Sequence, residues 1–380
     1  MTAFQFDLSS VTRPVSEARG LPNPFYTDPA VFEAEKERVF FRNWAALGFA
    51  TDCPNPGDAE PLTFLGQPLV MVRDHDGVLR VFQNICRHRG MILVQKAGPI
   101  ARAIRCPYHS WSYELTGQLR TTPHVGGPGM NRHDAIKRES LGLIEVRSHT
   151  WLGIVFINID GKAAPFEEFA GDAIARWGEF DHPLHRCGDE GTFTMEVNAN
   201  WKLVYENYME GYHVFAVHPK LLKFAPMNVR WSGEWDRHVF YNDYIFPELD
   251  EGRGAGLPHY PGLSKSDARR GLWFLCFPHF AAEVFPDQFS VLVSYPVAPD
   301  KTREELHVFL IGDAATSDNH RAAREATLKM WDDLNREDLG MLELLQQGRL
   351  SPAYDGGCLS PHWEGPTHDF GRRVVERILS

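Results

Sequence analysis

The chain has little cysteine, no excess of positive charge and no long apolar run. Six cysteines among 380 residues do not make a disulfide scaffold, and four of them (Cys53, Cys187, Cys276 and Cys358) stand apart without paired spacing. No apolar stretch approaches the ~20 residues that a membrane-crossing helix needs. Lys and Arg number 39 against 50 Asp and Glu, a formal charge of −11. That balance excludes the clustered basic surface that nucleic acid requires and reads first as solubilising charge. The opening stretch MTAFQFDLSSVTRP has no basic start followed by an apolar run, so no secretory leader is expected. No GxGxxG follows a strand, so no nicotinamide or flavin fingerprint is present. Repeats and low-complexity segments are absent as well. These absences exclude a membrane protein, a nucleic-acid binder and a disulfide-stapled module, and they point to a cytoplasmic chain with reduced thiols.

What is there begins with an ordinary core composition, 43% hydrophobic and 23% charged, over a length that allows two domains. Residues 28–46, DPAVFEAEKERVFFRNWAA, carry apolar positions at helical spacing after an Asp-Pro start. Short segments rich in branched and aromatic residues follow (PLTFLG, PLVMVRD, VLRVFQN, SWSYEL, QLRTT), separated by Gly, Asp or Pro. They predict a small all-β unit over about 45–155, which TWLGIVFINID closes or leaves. Beyond it the chain mixes types. FEEFAGDAIARW and 318–347 read as helices, and WKLVYENYMEGYHVFAVH starts as one. GTFTMEVNAN, HVFYNDYIF, GLWFLCFP, FSVLVSYPVA and EELHVFLIG read as strands, and 247–271 as a loop. The predicted fold class is α+β, with the all-β unit inserted near the start of a larger domain.

Two segments carry chemistry. NICRHRG and RCPYHSW each hold one cysteine and one histidine: Cys86 and His88, then, after seventeen intervening residues, Cys106 and His109. Two Cys and two His satisfy a structural zinc tetrahedron, but zinc hooks usually keep the cysteines in one pair and the histidines in the other. One of each per hook suits a [2Fe–2S] cluster in which the cysteines bind one iron and the histidines the other. Gly90 and Pro107 allow tight loops around it, and Tyr108 and Trp111 can shield it.

Further on, NWKLVYENYMEGYHVFAVHP (200–219) holds His213 and His218, five apart. On an unbroken helix these would point about 140° away from each other. They can share a metal only if the helix ends near His213, and Pro219 fits a helix that has stopped. Two histidines and a carboxylate form the facial triad of non-haem Fe(II) oxygenases. Asp333, Glu337, Asp338 and Glu343 are the acids on the 318–347 helix that could complete it.

The run CRHRG…CPYHSW followed by NWK…EN…EGYH…H resembles the Rieske non-haem iron oxygenase α subunits, in the right order over nearly the whole chain. The resemblance implies a Rieske domain at 45–155 inserted in a helix-grip-like catalytic domain at 156–380, with residues 1–44 packing on the latter. It implies Cys86, His88, Cys106 and His109 as cluster ligands and His213, His218 and Asp338 as iron ligands. It places Asn207 near the iron, and Trp201 and Glu206 in structural roles. Glu210, three residues before His213 and expected on the same helical face, matches the acid that joins the iron histidine of one subunit to the Rieske histidine of its neighbour. A separate flavin or iron–sulfur reductase, with or without a ferredoxin, would bring electrons from NADH or NADPH, and the assembly would be a head-to-tail homotrimer or a multiple of it.

Two substrate classes remain open: an aromatic compound, and a quaternary or methylated amine. Glu rather than Asp at 210, the ED…L.E..Q.G helix and the aromatics Tyr205, Tyr208, Trp231 and Trp235 lean towards the amine. A Rieske electron carrier without oxygenase activity is the reading from a different class.

Overall fold

The computed structural model describes residues 7–177, 180, 184–223, 225–229, 234–235, 239–245, 256–265 and 267–380. The chain divides into two compact units, one of residues 41–163 and the other of residues 1–40 and 164–380.

The 41–163 unit is all strand and turn. Its strands are Ala45–Phe49 (β1), Asp58–Phe64 (β2), Gln67–Arg73 (β3), Leu79–Gln83 (β4), Gly98–Pro99 (β5), Ile104–Arg105 (β6), Ser112–Tyr113 (β7), Leu119–Thr121 (β8), Glu145–Trp151 (β9) and Ile154–Asn158 (β10). Seven pair in the order β1-β10-β9-β4-β3-β2-β5, and β6-β7-β8 form a separate three-stranded sheet. The turns are written in the sequence. Leu65-Gly66 between β2 and β3, and Leu152-Gly153 between β9 and β10, are two-residue turns with both residues at positive φ, which matches the twist of paired strands. TWLGIVFINID is therefore a hairpin that closes the unit. The unit reaches past 45–155 at both ends. Asn158 Nδ2 donates to the carbonyls of Phe41 and Asn43 at 3.1 and 3.2 Å, and the Asp160 amide also donates to Phe41. Cys86 and Cys106 lie in the same core as Val70, Phe82, Ile104, Trp111 and Tyr113.

In the other unit the described helices are Pro24–Thr27 (α1), Pro29–Glu35 (α2), Phe166–Phe169 (α3), Gly171–Trp177 (α4), Trp201–Tyr208 (α5), Val214–Val217 (α6), Arg321–Gly348 (α7) and Gly365–Leu379 (α8). The strands are Leu184–Arg186 (β11), Thr192–Val197 (β12), Glu234–Trp235 (β13), Val239–Ile245 (β14), Arg270–Cys276 (β15), Phe280–Phe285 (β16), Gln288–Ala298 (β17) and Lys301–Ile311 (β18). They form an antiparallel sheet in the order β11-β18-β17-β16-β15-β14-β13, with β12 also pairing β18. Pro286-Asp287 and Pro299-Asp300 make the two tight turns of β16-β17-β18.

Several expectations are corrected. The helix expected over 28–46 is α-helical only to Glu35. A π-helical turn at Lys36–Phe40 ends it, and Ala45 already belongs to β1. Phe40, fully buried and edge-on to Trp201 at 4.9 Å, shows that tertiary packing overrides the helical pattern there. The 166–177 helix breaks at Ala170 into α3 and α4. In the expected 247–271 loop, residues 247–255 lie outside the described residues and Arg270 already begins β15. β16 and α8 were not foreseen. α8 buries Phe370, Val374, Val375 and Ile378. Among the described residues no helix is long and apolar enough to cross a membrane.

Candidate metal centres

The two Cys/His hooks fold alike. In each, the cysteine amide donates to a carbonyl five residues on (Met91 at 2.7 Å, Trp111 at 2.8 Å), and the cysteine carbonyl accepts from the amide four residues on (Gly90 at 2.9 Å, Ser110 at 3.1 Å). The fourth residue on carries the positive φ that closes the loop: Gly90 in the first hook, and Ser110 rather than a residue beside Pro107 in the second. Both thiols are buried and touch each other, whereas His88 is exposed and His109 half-buried, with ring centroids 4.7 Å apart. Cysteines inside and histidines outside is the division that a mixed two-iron cluster needs.

Three further observations test the fit. His109 Nδ1 is buried and has no hydrogen-bond partner, as a ligand atom facing a metal would be. Partial burial, then the charges of His109 and Arg89, hold His88 below the ordinary histidine value, which favours the neutral form that a metal ligand needs. The Tyr113 hydroxyl lies 3.2 Å from Cys86 Sγ and accepts from the Arg87 amide at 3.0 Å, and Trp111 stacks on His88 at 4.7 Å. A single zinc would draw all four ligand atoms to within about 4 Å of one another. Among the described residues the one set of three such side chains with ligand atoms within 4.8 Å of one another is elsewhere: His213, His218 and Asp338.

That second set is assembled by α5, α6 and α7. Asn200 caps α5, its Oδ1 accepting from the Lys202 amide at 3.0 Å, and its own amide donates to Gln346 on α7 at 3.0 Å. Trp201 Nε1 and Lys202 Nζ donate to the fully buried Glu35 at 2.9 and 2.6 Å, and Tyr26 donates to Glu206 at 2.6 Å. The NWK…E motif thus anchors the helix. α5 stops at Tyr208, and His213 and His218 are the two caps of the single turn α6. The rotation problem of an unbroken helix does not arise.

His218 Nε2 lies 3.1 Å and His213 Nε2 3.7 Å from Asp338 Oδ1. The other ring nitrogens are held by acids: His218 Nδ1 by Glu337 at 2.8 Å and His213 Nδ1 by Glu210 at 2.5 Å. Each backing carboxylate fixes the tautomer that leaves Nε2 free to ligate. Burial alone would lower the His218 pKa, but Asp338 and then Glu337 hold it above its ordinary value, so the site favours positive charge. Adjacent residues of α7 therefore differ in role: Asp338 lies on the Nε2 side and Glu337 behind the ring. Asn207 Nδ2 donates to Asp338 at 3.3 Å and lies 3.4 Å from His213 Nε2. Glu210 follows the end of α5 and does not share a helical face with His213. Its carboxylate turns onto the start of α6, accepting from the Tyr212 and His213 amides.

A cavity of about 120 Å³ opens on the triad, walled by Tyr208, Trp273, Leu292, Trp331 and the acids Glu283 and Glu304. Burial, then the charge of Asp338, pushes Glu304 up to about 8. Of the aromatics singled out in the sequence, Tyr208 lines the cavity, while Tyr205 is core, its hydroxyl bonded to the His279 carbonyl. Trp231 and the Trp235 side chain lie outside the described residues. Glu304 was missed, although a signal existed: strand alternation puts it on one face with Leu306, Val308 and Leu310.

The family described as Ring hydroxylating alpha subunit (catalytic domain) matches residues 184–380, and the Rieske [2Fe–2S] domain matches residues 43–136. The carnitine monooxygenase oxygenase subunit of Escherichia coli (strain K12) is 29% identical over 90% of this chain and 87% of its own. The glycine betaine monooxygenase oxygenase subunit of Pseudomonas aeruginosa is 27% identical over 95% and 89%. Among solved structures, the quaternary ammonium Rieske monooxygenase CntA superposes with a TM-score of 0.80 at 23% identity over 99% of each chain. The Rieske match brings a [2Fe–2S] cluster and the catalytic match a mononuclear iron, with electrons supplied by a separate reductase.

Proposed function

We propose that this chain, which belongs to the family of Rieske-type ring-hydroxylating oxygenase α subunits, hydroxylates or oxidatively demethylates a small quaternary or methylated amine. The observation that carries the substrate class is the charge of the cavity. Glu283 and Glu304 line it, and among the described residues no Lys or Arg does. An aromatic acid would need a cationic clamp there, whereas a cationic nitrogen gains from acids and aromatic faces. The carnitine and glycine betaine enzymes among its relatives support the same choice.

When bound, the cluster supplies one-electron transfer and the mononuclear iron supplies O2 activation. The chain's own residues hold and tune them. Cys86, Cys106, His88 and His109 would bind the cluster, with the Tyr113 hydroxyl beside Cys86 Sγ. His213, His218 and Asp338 would bind the iron beside the cavity that would take O2 and substrate. Glu337 and Glu210 orient the two imidazoles, and Asn207 steadies Asp338. In a head-to-tail trimer Glu210 would also accept a hydrogen bond from the Rieske histidine of a neighbouring subunit, a role its bond to His213 supports. The electron donor is a flavin or iron–sulfur reductase that uses NADH or NADPH, with or without a ferredoxin. A cytoplasmic location accords with six cysteines that form no disulfide.

The test is substrate-dependent O2 consumption by iron-loaded protein with a surrogate reductase and NADH, with product measured alongside. Panels of betaine-like amines and of aromatic acids are compared. Coupled product is expected from the amines. Coupled product from aromatic acids alone would overturn the substrate class.

A further inference from the structure

The two acids of the cavity are not equivalent. Glu283 on β16 pairs across the sheet with Ser290 on β17 and accepts a hydrogen bond from its hydroxyl. Glu304 on β18 is 3% exposed, sits opposite Ser294, and has an Oε1 with no hydrogen-bond partner. Its neighbours on the same face of β18 are apolar or fully buried: Thr302, Leu306, Val308 and Leu310. A leucine there would continue the pattern at no electrostatic cost. A buried carboxyl with an unused oxygen destabilises the fold, so its presence at a cavity wall asks for a ligand.

We propose that Glu304 selects the charge of the substrate, its carboxylate lying against the cationic nitrogen in the cavity that Trp273 and Trp331 also line. This rests on the methylated-amine reading and adds the residue that enforces it. Glu283 is already engaged by the Ser290 hydroxyl. Burial makes an uncompensated charge at Glu304 costly, and a cation lying against its unpartnered Oε1 offsets that cost. A neutral substrate of the same shape offers no such gain and is rejected.

The experiment is calorimetric binding to the iron-loaded holoenzyme, independent of turnover. The probes are choline, glycine betaine and L-carnitine, each paired with its isostere bearing carbon in place of nitrogen. The wild type should prefer at least one cation over its isostere by roughly 30-fold or more, the scale of a desolvated charge pair, and Glu304→Gln should abolish that preference while leaving the isostere's affinity unchanged. Iron content and the cluster spectrum check that the variant is folded. If Glu304→Gln keeps the preference, the assignment of Glu304 is wrong while the amine reading stands. If the wild type prefers no cation, both fall. Should Glu304→Gln fail to load iron, Glu304→Asp decides: a retained preference with weaker cation binding supports the assignment, and a preference lost or undiminished overturns it.

Discussion

The two candidate metal-binding regions of this chain are built on opposite principles. In the 41–163 unit, the four proposed ligands come from two loops within 24 residues of sequence, from Cys86 to His109, and each loop closes on its own backbone. In the other unit, the three proposed ligands come from the ends of α6 and from α7, and His218 and Asp338 are 120 positions apart. Nothing local brings them together. The anchors of α5 and α7, among them Asn200, Gln346 and the buried Glu35–Lys202 pair, do that work. The second difference is in what stands behind the ligands. The Rieske loops lean on backbone bonds and one tyrosine, whereas each triad histidine has its own carboxylate. A cluster with fixed ligands needs shape; an iron that must take up O2 and substrate needs ligands whose tautomer and charge are set from behind.

Variants can break this comparison, the largest effect first. Cys106→Ser should abolish the cluster, its visible absorption and turnover, and still leave about one iron per chain on the triad by metal analysis. Loss of all iron would show that the two sites are not independently built. Glu210→Gln should keep both metals and slow product formation roughly 100-fold, the upper range for a group behind a ligand; single-turnover kinetics from a reduced cluster would read it, and wild-type turnover would remove Glu210 from the electron route. Glu337→Ala should weaken mononuclear iron affinity about 10- to 100-fold with the cluster spectrum unchanged, because His218 loses the partner of its Nδ1. Tyr113→Phe is the smallest change. It removes a hydroxyl beside Cys86 Sγ and should lower the cluster potential by about 40 mV, equivalent to ~1 kcal/mol for one electron, in protein-film voltammetry.

The same contrast explains what could be read in advance. The hooks were legible because their ligands, loop lengths and the glycine at 90 are all local. His213 and His218 were legible as a pair, with the proviso that the helix must end near His213; it ends earlier, at Tyr208, and α6 resets the geometry. Asp338 was not separable from Glu337 by spacing, since neighbours on a helix differ by ~100° and only the position of His218 decides which one faces the metal side. Glu210 was expected on a helical face and lies instead beyond the end of α5, a break that Gly211 could have announced. β16 escaped notice because FAAEVF has the alanines and glutamate of a helix, and neighbouring strands on both sides override that preference. The N-terminal helix overran for the converse reason, Phe40 being claimed by the core of the unit around Trp201. The pocket-lining tryptophans 273 and 331 come from a strand and a helix, and no sequence pattern joins them.

The central claim is that one chain holds a cluster and a separate mononuclear iron on His213, His218 and Asp338. Iron and acid-labile sulfide should be counted per chain in the wild type and in Asp338→Ala, prepared side by side. The account predicts about three irons and two sulfides in the wild type, and about two irons and two sulfides in the variant with the Rieske spectrum intact. An equal iron count in the two proteins would contradict it.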